Sequence, residues 1–193
     1  MAHYFITGAS SGIGAALAVQ LTTAGHQVSA VARRQQRLAA LSKQLDAFHG
    51  YVADVGDAES LATAIDKAKA KSGAIDVAIL NAGIYQPQDG TKIDPQIYAN
   101  HMTINYLGVV NALAGLVPDM VRDGEGHIAI VSSVAGWRGL PKSAAYGPTK
   151  AALISLTESL YFDLVPHGLK IQVICPGFVD SEATAVNDFE MPD

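Results

Sequence analysis

The sequence of 193 residues contains almost no cysteine: Cys175 is the only one, so an internal disulfide framework is excluded. A single thiol is typical of a protein from a reducing compartment, and we therefore expect a cytoplasmic location. The apolar neighbours of Cys175 predict a buried position for it. The six histidines are scattered without the spacing of metal ligands, so we predict no metal site.

Positive charge is also scarce. The chain has 13 lysines and arginines against 18 acidic residues, which gives a formal net charge of -5. A nucleic-acid or anionic-membrane binder needs a basic surface, so neither partner is expected. The N-terminal stretch offers no charged leader and no apolar run long enough for a membrane span. With 49% hydrophobic and 16% charged residues, a globular protein with a sizeable core is predicted.

Short apolar runs alternate with longer helical patterns along the whole chain, without a low-complexity linker or an internal repeat. Apolar runs that are nearly continuous are typical of strands buried on both faces. The rhythm predicts an α/β fold, a doubly wound parallel sheet with helices on both faces, as a single domain over residues 1–193. The expected strands are 4–7, 27–31, 48–52, 77–80, 127–132 and 170–174.

Helical patterns fill the intervals at 12–24, 35–45, 58–71, 94–122 and 144–167. Gly25, Gly73 and Gly168 follow three of these patterns. Glycine is common at the C-terminal end of a helix because it reaches positive φ without strain. We therefore expect these three glycines to end their helices.

Glycine is concentrated where the first strand meets the first helix. Residues 7–14 read TGASSGIG, which places Gly8, Gly12 and Gly14 in the turn. Glycine allows close approach of the backbone to a ligand, and a helix N-terminus attracts negative charge. The spacing departs from G-x-G-x-x-G, and no Gly-Lys-Ser/Thr of a P-loop follows. A dinucleotide pyrophosphate is the predicted ligand, and a tight turn without a ligand is the alternative.

Two arginines, Arg33 and Arg34, follow the second strand. An NAD-binding protein would offer an acidic side chain to the ribose at this point. Arginine can instead hold a 2′-phosphate in a forked, charge-assisted geometry. The pair therefore favours NADP(H), with NAD(H) possible. A solvated pair of surface arginines is the alternative.

Tyr146 and Lys150 are four residues apart, which places them on one face of a helix. A nearby ammonium favours the phenolate and so lowers the pKa of a tyrosine, which suits proton transfer at working pH. Such a pair also occurs by chance on solvated helices. Pro148 lies between them and is tolerated only if this is the beginning of the helix.

Seven short motifs are distributed along the chain. They are TGASSGIG at 7–14, Asp54-Val55, Asn81-Ala-Gly83, Asn105-Tyr-Leu-Gly108, Ser132-Ser133, Tyr146-x-x-x-Lys150 and Pro176-Gly177. With these motifs the chain resembles the short-chain dehydrogenase/reductase family in its single-domain branch. The resemblance implies a Rossmann-like fold and an NADP(H)-dependent oxidoreductase that transfers a hydride between nicotinamide and a carbonyl or alcohol carbon.

The resemblance also implies roles for single residues. Tyr146 would be the general acid in reduction and the base in oxidation, while Lys150 would lower its pKa and bind the nicotinamide ribose. Ser133, preferred to Ser132, would orient the substrate oxygen. Asn105 would hold a water that passes protons to Lys150, and a structural helix amide is its alternative. The cofactor residues implied are Gly8, Ser10, Ser11, Gly12, Ile13, Gly14, Arg33, Arg34, Asp54, Val55, Asn81, Ala82, Gly83, Tyr146, Lys150, Pro176, Gly177 and Val179.

Two further expectations concern the C-terminal end and the partners. The family usually continues through a substrate-binding segment and an edge strand, so we expect a C-terminal part that is short or missing and a substrate pocket that is incomplete. A catalytically silent NADP(H)-binding regulatory or scaffold protein is therefore the alternative function. The resemblance implies a small carbonyl or alcohol substrate, and a homodimer or homotetramer formed through the helices at 94–122 and 144–167.

Overall fold

Six parallel strands form one sheet in a computed structural model that describes residues 1–182. The order across the sheet is β3-β2-β1-β4-β5-β6, which is the doubly wound order and confirms the expected fold class. Each predicted strand is found to within one residue at either end. The strands are β1 His3–Thr7, β2 Gln27–Ala32, β3 Phe48–Val52, β4 Val77–Leu80, β5 Gly126–Val131 and β6 Leu169–Ile174.

Several helix ends coincide with signals present in the sequence. Asp57 caps α3 by accepting hydrogen bonds from the backbone N–H groups of Glu59 and Ser60. The three glycine stop signals at 25, 73 and 168 are confirmed, since each has a φ of 85°. The helices are α1 Gly12–Thr23, α2 Gln35–Gln44, α3 Ala58–Ser72, α4 Pro95–His101, α5 Gly108–Asp123 and α6 Gly147–Leu164.

Helices cover both faces of the sheet because its strands are apolar on both sides. In β1, Phe5 and Ile6 are both fully buried, yet they belong to different hydrophobic clusters. Successive side chains of a strand point to opposite faces, so each residue supplies one face. The cluster around Phe5 includes residues of α3, α5 and α6, and the cluster around Ile6 includes residues of α1 and α2.

The single helix expected at 94–122 is divided by a π-helical segment, Met102–Leu107, between α4 and α5. The stretch Pro95–Asp123 is also long and apolar enough to cross a membrane, judged by length and composition alone. Leu113 and Leu116 within it are buried in the core of the fold. That burial is typical of a core helix.

Three further expectations concern the start of α6, the burial of Cys175 and the C-terminal part. The last long helix begins at Gly147 rather than 144, so Pro148 lies in its first turn as expected. Cys175 is only partly buried, which corrects its predicted core position, because it lies just after β6 at the edge of the described sheet. The expected shortness of the C-terminal part concerns residues beyond 182, which lie outside the described residues.

Candidate active site and cofactor cleft

A cleft of about 500 Å³ lies where the strands end at their carboxyl termini. Ligands bind at this edge in doubly wound sheets, because loops from neighbouring strands converge there. Most residues expected to bind a cofactor or substrate line this cleft: Gly8, Ser10, Ser11, Gly12, Ile13, Arg33, Arg34, Asp54, Val55, Asn81, Ala82, Gly83, Ser133, Tyr146, Lys150, Pro176, Gly177 and Val179.

The glycine loop approaches its neighbours too closely for other residue types. A Cβ atom on Gly8 would lie 2.7 Å from the Cα of Ala82, and the φ of Gly8 is 75°. Gly14 does not line the cleft, which differs from expectation. A Cβ there would lie 2.5 Å from the carbonyl oxygen of Gly8, so Gly14 lets α1 pack against the loop. The loop therefore provides a cradle that fits a dinucleotide at the N-terminus of α1.

Thr7 and Asn81 hold the glycine loop against the end of β4. The Thr7 hydroxyl accepts hydrogen bonds from the backbone N–H groups of Asn81 and Ala82, at 3.0 and 3.1 Å. The side-chain amide of Asn81 donates to the carbonyl oxygens of Thr7 and Gly8. Asn81 thus joins two neighbouring strand ends and sets the shape of the cleft floor. Apart from its place in the motif, no signal in the sequence distinguishes Thr7.

The two arginines after β2 have different surroundings. Arg33 is largely exposed and forms a 3.7 Å ion pair with Asp54 across the cleft wall. Arg34 lies on the glycine loop, where its Nε donates to the Ser10 hydroxyl at 2.9 Å and an Nη donates to the Ser11 hydroxyl. The Arg34 guanidinium therefore lies at the glycine-loop end of the cleft, whereas the Arg33 guanidinium lies beside Asp54.

Lys150 lies at the opposite end of the cleft and is 3% exposed. Its Nζ donates to the carbonyl oxygen of Val131 at 2.9 Å and lies 5.5 Å from the centre of the Tyr146 ring. Burial lowers the pKa of Lys150 to about 8, because removal from water disfavours the ammonium. Tyr146 and Lys150 are thus neighbours, as their spacing predicted.

Tyr146 is the N-cap residue of α6, and its ring packs edge-on against the ring of Tyr85 with centroids 5.2 Å apart. Burial raises the pKa of Tyr146 above its usual value, and Tyr85 adds to the rise, whereas a hydrogen bond with Ser133 opposes it. The net shift is thus opposite in direction to the lowering expected from Lys150. Loss of hydration dominates here, because it disfavours the phenolate.

The two serines after β5 have separate partners. The Ser132 hydroxyl donates to the backbone carbonyl oxygen of Lys150 at 2.8 Å and so fixes the start of α6. The Ser133 oxygen accepts from the backbone N–H of Ala135 at 3.2 Å and also interacts with Tyr146. Ser133 is thus the serine beside the phenol, in agreement with the preference for it over Ser132.

Asn105 is fully buried in the π-helical segment and does not line the cleft. Its Oδ1 accepts from the backbone N–H of Ile84 at 2.8 Å, while its Nδ2 donates to the Ile84 carbonyl and to the Thr149 hydroxyl. Asn105 therefore joins the loop after β4 to α6, next to Lys150. These contacts are those of a structural helix amide, which is the alternative interpretation of Asn105. Its role in a proton path remains a prediction.

Sequence reasoning missed several residues of the cleft wall, among them Tyr85 and Glu182. Tyr85 follows the Asn81-Ala-Gly83 motif, and only its contact with Tyr146 distinguishes it from other tyrosines. Glu182 pairs with Arg34 across 148 positions of the chain, and no local pattern marks such a contact. Among residues 1–182, no group of three or more His, Cys, Asp or Glu side chains is arranged to hold a metal ion.

The sheet order and the position of the cleft define an α/β protein of the dinucleotide-binding class. The family model for short chain dehydrogenases matches residues 2–190, and the chain belongs to the short-chain dehydrogenase/reductase family. It is accordingly an oxidoreductase of the NAD(P)-dependent type that acts on CH–OH or C=O groups.

Individual relatives agree with this assignment. An uncharacterized oxidoreductase of Myxococcus xanthus is 37% identical over 191 residues, which are 97% of this chain and 76% of the relative. A 3-oxoacyl-(acyl-carrier-protein) reductase of Staphylococcus aureus is 33% identical over 93% of this chain and 75% of its own length. The solved structure of ElxO with NADP bound superposes with a TM-score of 0.88 at 28% identity, covering 94% of this chain and 75% of that one.

Proposed function

We propose that this protein transfers a hydride between the nicotinamide of NADP(H) and a carbonyl or alcohol carbon of a small molecule, with Tyr146 as general acid and base. One observation carries the proposal: Ser133, Tyr146 and Lys150 converge at one end of the cleft. The glycine loop, with Arg33 and Arg34, lies at the other end. An extended dinucleotide would therefore place its phosphates and its reactive ring at opposite ends.

NADP(H) would supply or accept the hydride, and the remaining chemistry is proton transfer by residues of this chain. In reduction, the phenol of Tyr146 would donate its proton to the substrate oxygen, which the Ser133 hydroxyl would orient. Lys150 would hydrogen-bond the nicotinamide ribose, with Asn105 holding the neighbouring loop in place. A phenol with a raised pKa is protonated at neutral pH, so it is in the form that reduction needs.

The remaining cofactor contacts follow from the cleft wall. Gly8 and the N-terminus of α1 would accommodate the pyrophosphate, and Asp54 with Val55 would flank the adenine. The segment 81–83 would line the adenosine side, and Pro176, Gly177 and Val179 would border the nicotinamide. The bound NADP in the solved ElxO structure supports the same class of cofactor.

The activity is tested by following NADPH consumption with a panel of ketones, aldehydes and quinones. Tyr146→Phe should lower kcat by about 100-fold or more while NADPH still binds, because general acid catalysis contributes that much. Tyr98→Phe, on α4 outside the cleft, is the matched control and should keep parental kcat. NADPH binding without turnover of any substrate, also in a longer chain, would favour the regulatory or scaffold alternative.

Cofactor preference is tested separately by measuring the affinities for NADPH and NADH. The two arginines predict tighter binding of NADPH, because a guanidinium pairs with the 2′-phosphate that NADH lacks. Arg33→Asp should reverse or remove the preference. Equal affinities for the two cofactors in the parent protein would contradict this part of the proposal.

We also propose that the protein is a homodimer or homotetramer in the cytoplasm, joined through the helices at 94–122 and 144–167. Large apolar side chains are exposed on these helices: Leu107 is 46%, Tyr161 51% and Phe162 76% exposed. Tyr161 and Phe162 are also in contact, with ring centroids 5.7 Å apart, and contiguous exposed apolar side chains are typical of a contact surface. Light scattering should show an oligomer, and Phe162→Glu should shift it toward the monomer. A monomeric parent protein would contradict the proposal.

A further inference from the structure

The carboxylate of Glu182 lies between two guanidinium groups at the glycine-loop end of the cleft. Its Oε2 accepts from Nη1 of Arg34 at 2.7 Å, and its Oε1 accepts from Nη1 of Arg37. Hydrogen bonds from Arg34 and then from Arg37 lower the pKa of Glu182, so its carboxylate is ionised at neutral pH. A negative charge of this protein thus already occupies the position between the two arginines.

This contact spans most of the cleft. Glu182 belongs to the segment after β6, which is an edge strand of the described sheet, whereas Arg34 follows β2 on the other side of β1, β4 and β5. The segment must therefore cross the carboxyl ends of these three strands. Ser181 confirms the crossing, because a Cβ on Gly12 of the glycine loop would lie 3.5 Å from the Cβ of Ser181.

The two arginines are also held by the glycine loop. Arg34 donates to the hydroxyls of Ser10 and Ser11, and Arg37 donates to the carbonyl oxygen of Ser10 at 3.3 Å. The two guanidinium groups therefore converge on the position of the Glu182 carboxylate. Two converging guanidinium groups are the arrangement that holds a phosphate with charge-assisted hydrogen bonds.

We propose that Arg37 joins Arg33 and Arg34 in holding the 2′-phosphate of NADP(H), and that Glu182 competes with this phosphate for Arg34 and Arg37. The inference rests on the proposed function and deepens it, because it adds Arg37 as a phosphate ligand. It also makes Glu182 a determinant of cofactor preference. NADPH must displace the Glu182 carboxylate, whereas NADH, which has no 2′-phosphate, leaves the contact in place.

The expected effect is moderate because all three side chains are about half exposed. Exposed ion pairs are individually weak, so removal of two of them should strengthen NADPH binding by roughly threefold to tenfold. The affinity for NADH should change by less than about twofold, since no phosphate competes. A selective gain for the phosphorylated cofactor is therefore the signature of the competition.

The experiment measures NADPH, NADH and 2′,5′-ADP affinities by calorimetry for the parent, Glu182→Gln and Asp180→Asn. Asp180→Asn is the matched control, because it makes the same charge change in the same exposed segment. We expect Glu182→Gln to bind NADPH and 2′,5′-ADP more tightly, with NADH unchanged and the control at parental affinities. In the Glu182→Gln background, Arg37→Gln should weaken NADPH binding about threefold or more, as loss of one charge-assisted contact predicts.

Three results would overturn the inference. They are unchanged NADPH affinity in Glu182→Gln, an equal gain for NADH, and the same gain in Asp180→Asn. None of these results bears on whether the parent binds NADPH and turns over a substrate, so the proposed function stands while the competition by Glu182 falls. A parent protein that binds neither dinucleotide nor 2′,5′-ADP would instead overturn the proposed function together with this inference.

Discussion

The ammonium of Lys150 donates a 2.9 Å hydrogen bond to the carbonyl oxygen of Val131, the last residue of β5. This bond holds the Lys150 side chain between α6 and the sheet, where it is 3% exposed. An ion with so little contact to water is unfavourable for the fold, and burial lowers the pKa of Lys150 to about 8. The position is therefore explained better by function than by stability.

Lys150→Met should stabilise the protein while it abolishes most of the activity. In the unfolded chain the lysine titrates near its ordinary pKa of 10.5, against about 8 in the folded state. Below about pH 8 both states are protonated, and the fold bears a penalty of about 3 kcal/mol, whereas the penalty fades as pH rises toward the unfolded value. Urea unfolding at pH 7 should show a gain of about 1–3 kcal/mol for the variant.

The pH dependence of this stability difference tests whether desolvation of the Lys150 charge is its cause. The stability advantage of Lys150→Met should shrink as pH rises from about 8 to 10. Lys43→Met, at an exposed position on α2, should show no such pH-dependent advantage. A loss of stability in Lys150→Met at pH 7 would mean that the bond to Val131 outweighs the desolvation of the charge.

The pH dependence of the reaction should report the raised pKa of Tyr146. Oxidation of an alcohol needs the phenolate, so its kcat should rise about tenfold per pH unit between about pH 7 and 9, while reduction stays flat. The hydrogen bond with Ser133 opposes the rise in pKa, so Ser133→Ala should move the oxidation profile to higher pH. A profile that levels off below about pH 8 would show instead that Lys150 lowers the pKa of Tyr146.

The buried amide of Asn105 gives a further prediction. In Asn105→Asp, one carboxylate oxygen would face the carbonyl oxygen of Ile84, to which the amide now donates at 3.0 Å. The acid must stay protonated to donate there, so its folded-state pKa is raised. The loss of stability relative to the parent should therefore grow as pH rises from about 4 to 7, reaching about 2–4 kcal/mol in urea unfolding.

Asn111→Asp is the matched control for this prediction. Asn111 lies on α5, and its side-chain amide also donates to a backbone carbonyl, that of Val55, at 2.9 Å. It is only partly buried, so water can solvate the new carboxylate. The control should lose less stability and show a weaker pH dependence. Equal losses in the two variants would show that the burial of Asn105 is not the cause.

The sequence predicted the fold and the cleft wall well because the signals there are local. β1 is nearly continuous in apolar residues, and both its faces are buried by helices, as that pattern implies. The stop glycines at 25, 73 and 168 adopt the positive φ that their position suggested. Parallel strand ends meet at one edge of a sheet, so residues that follow different strands lie together there.

What the sequence could not predict depends on contacts between distant segments. The π-helical segment around Asn105 accompanies a side-chain bond to Ile84, and helical periodicity carries no sign of that partner. The pKa of Tyr146 depends on how deeply the phenol is buried, which the four-residue spacing to Lys150 cannot reveal. The contact of Glu182 with Arg34 and Arg37 likewise requires the path of the segment after β6.

The three stop glycines should differ in how they tolerate alanine, although each has the same φ of 85°. A Cβ on Gly168 would lie 2.2 Å from the carbonyl oxygen of Gly124, whereas a Cβ on Gly25 or Gly73 meets nothing within 4 Å. Gly25→Ala should cost about 1 kcal/mol for its positive φ alone. Gly73→Ala should cost about 1–3 kcal/mol, because its ψ of -165° places it in a region that is nearly restricted to glycine. Gly168→Ala should cost about 3 kcal/mol or more, because the backbone of Gly124 must also move. Urea unfolding of the three variants checks the order, and equal losses would show that backbone conformation, not the approach to Gly124, is what requires glycine at 168.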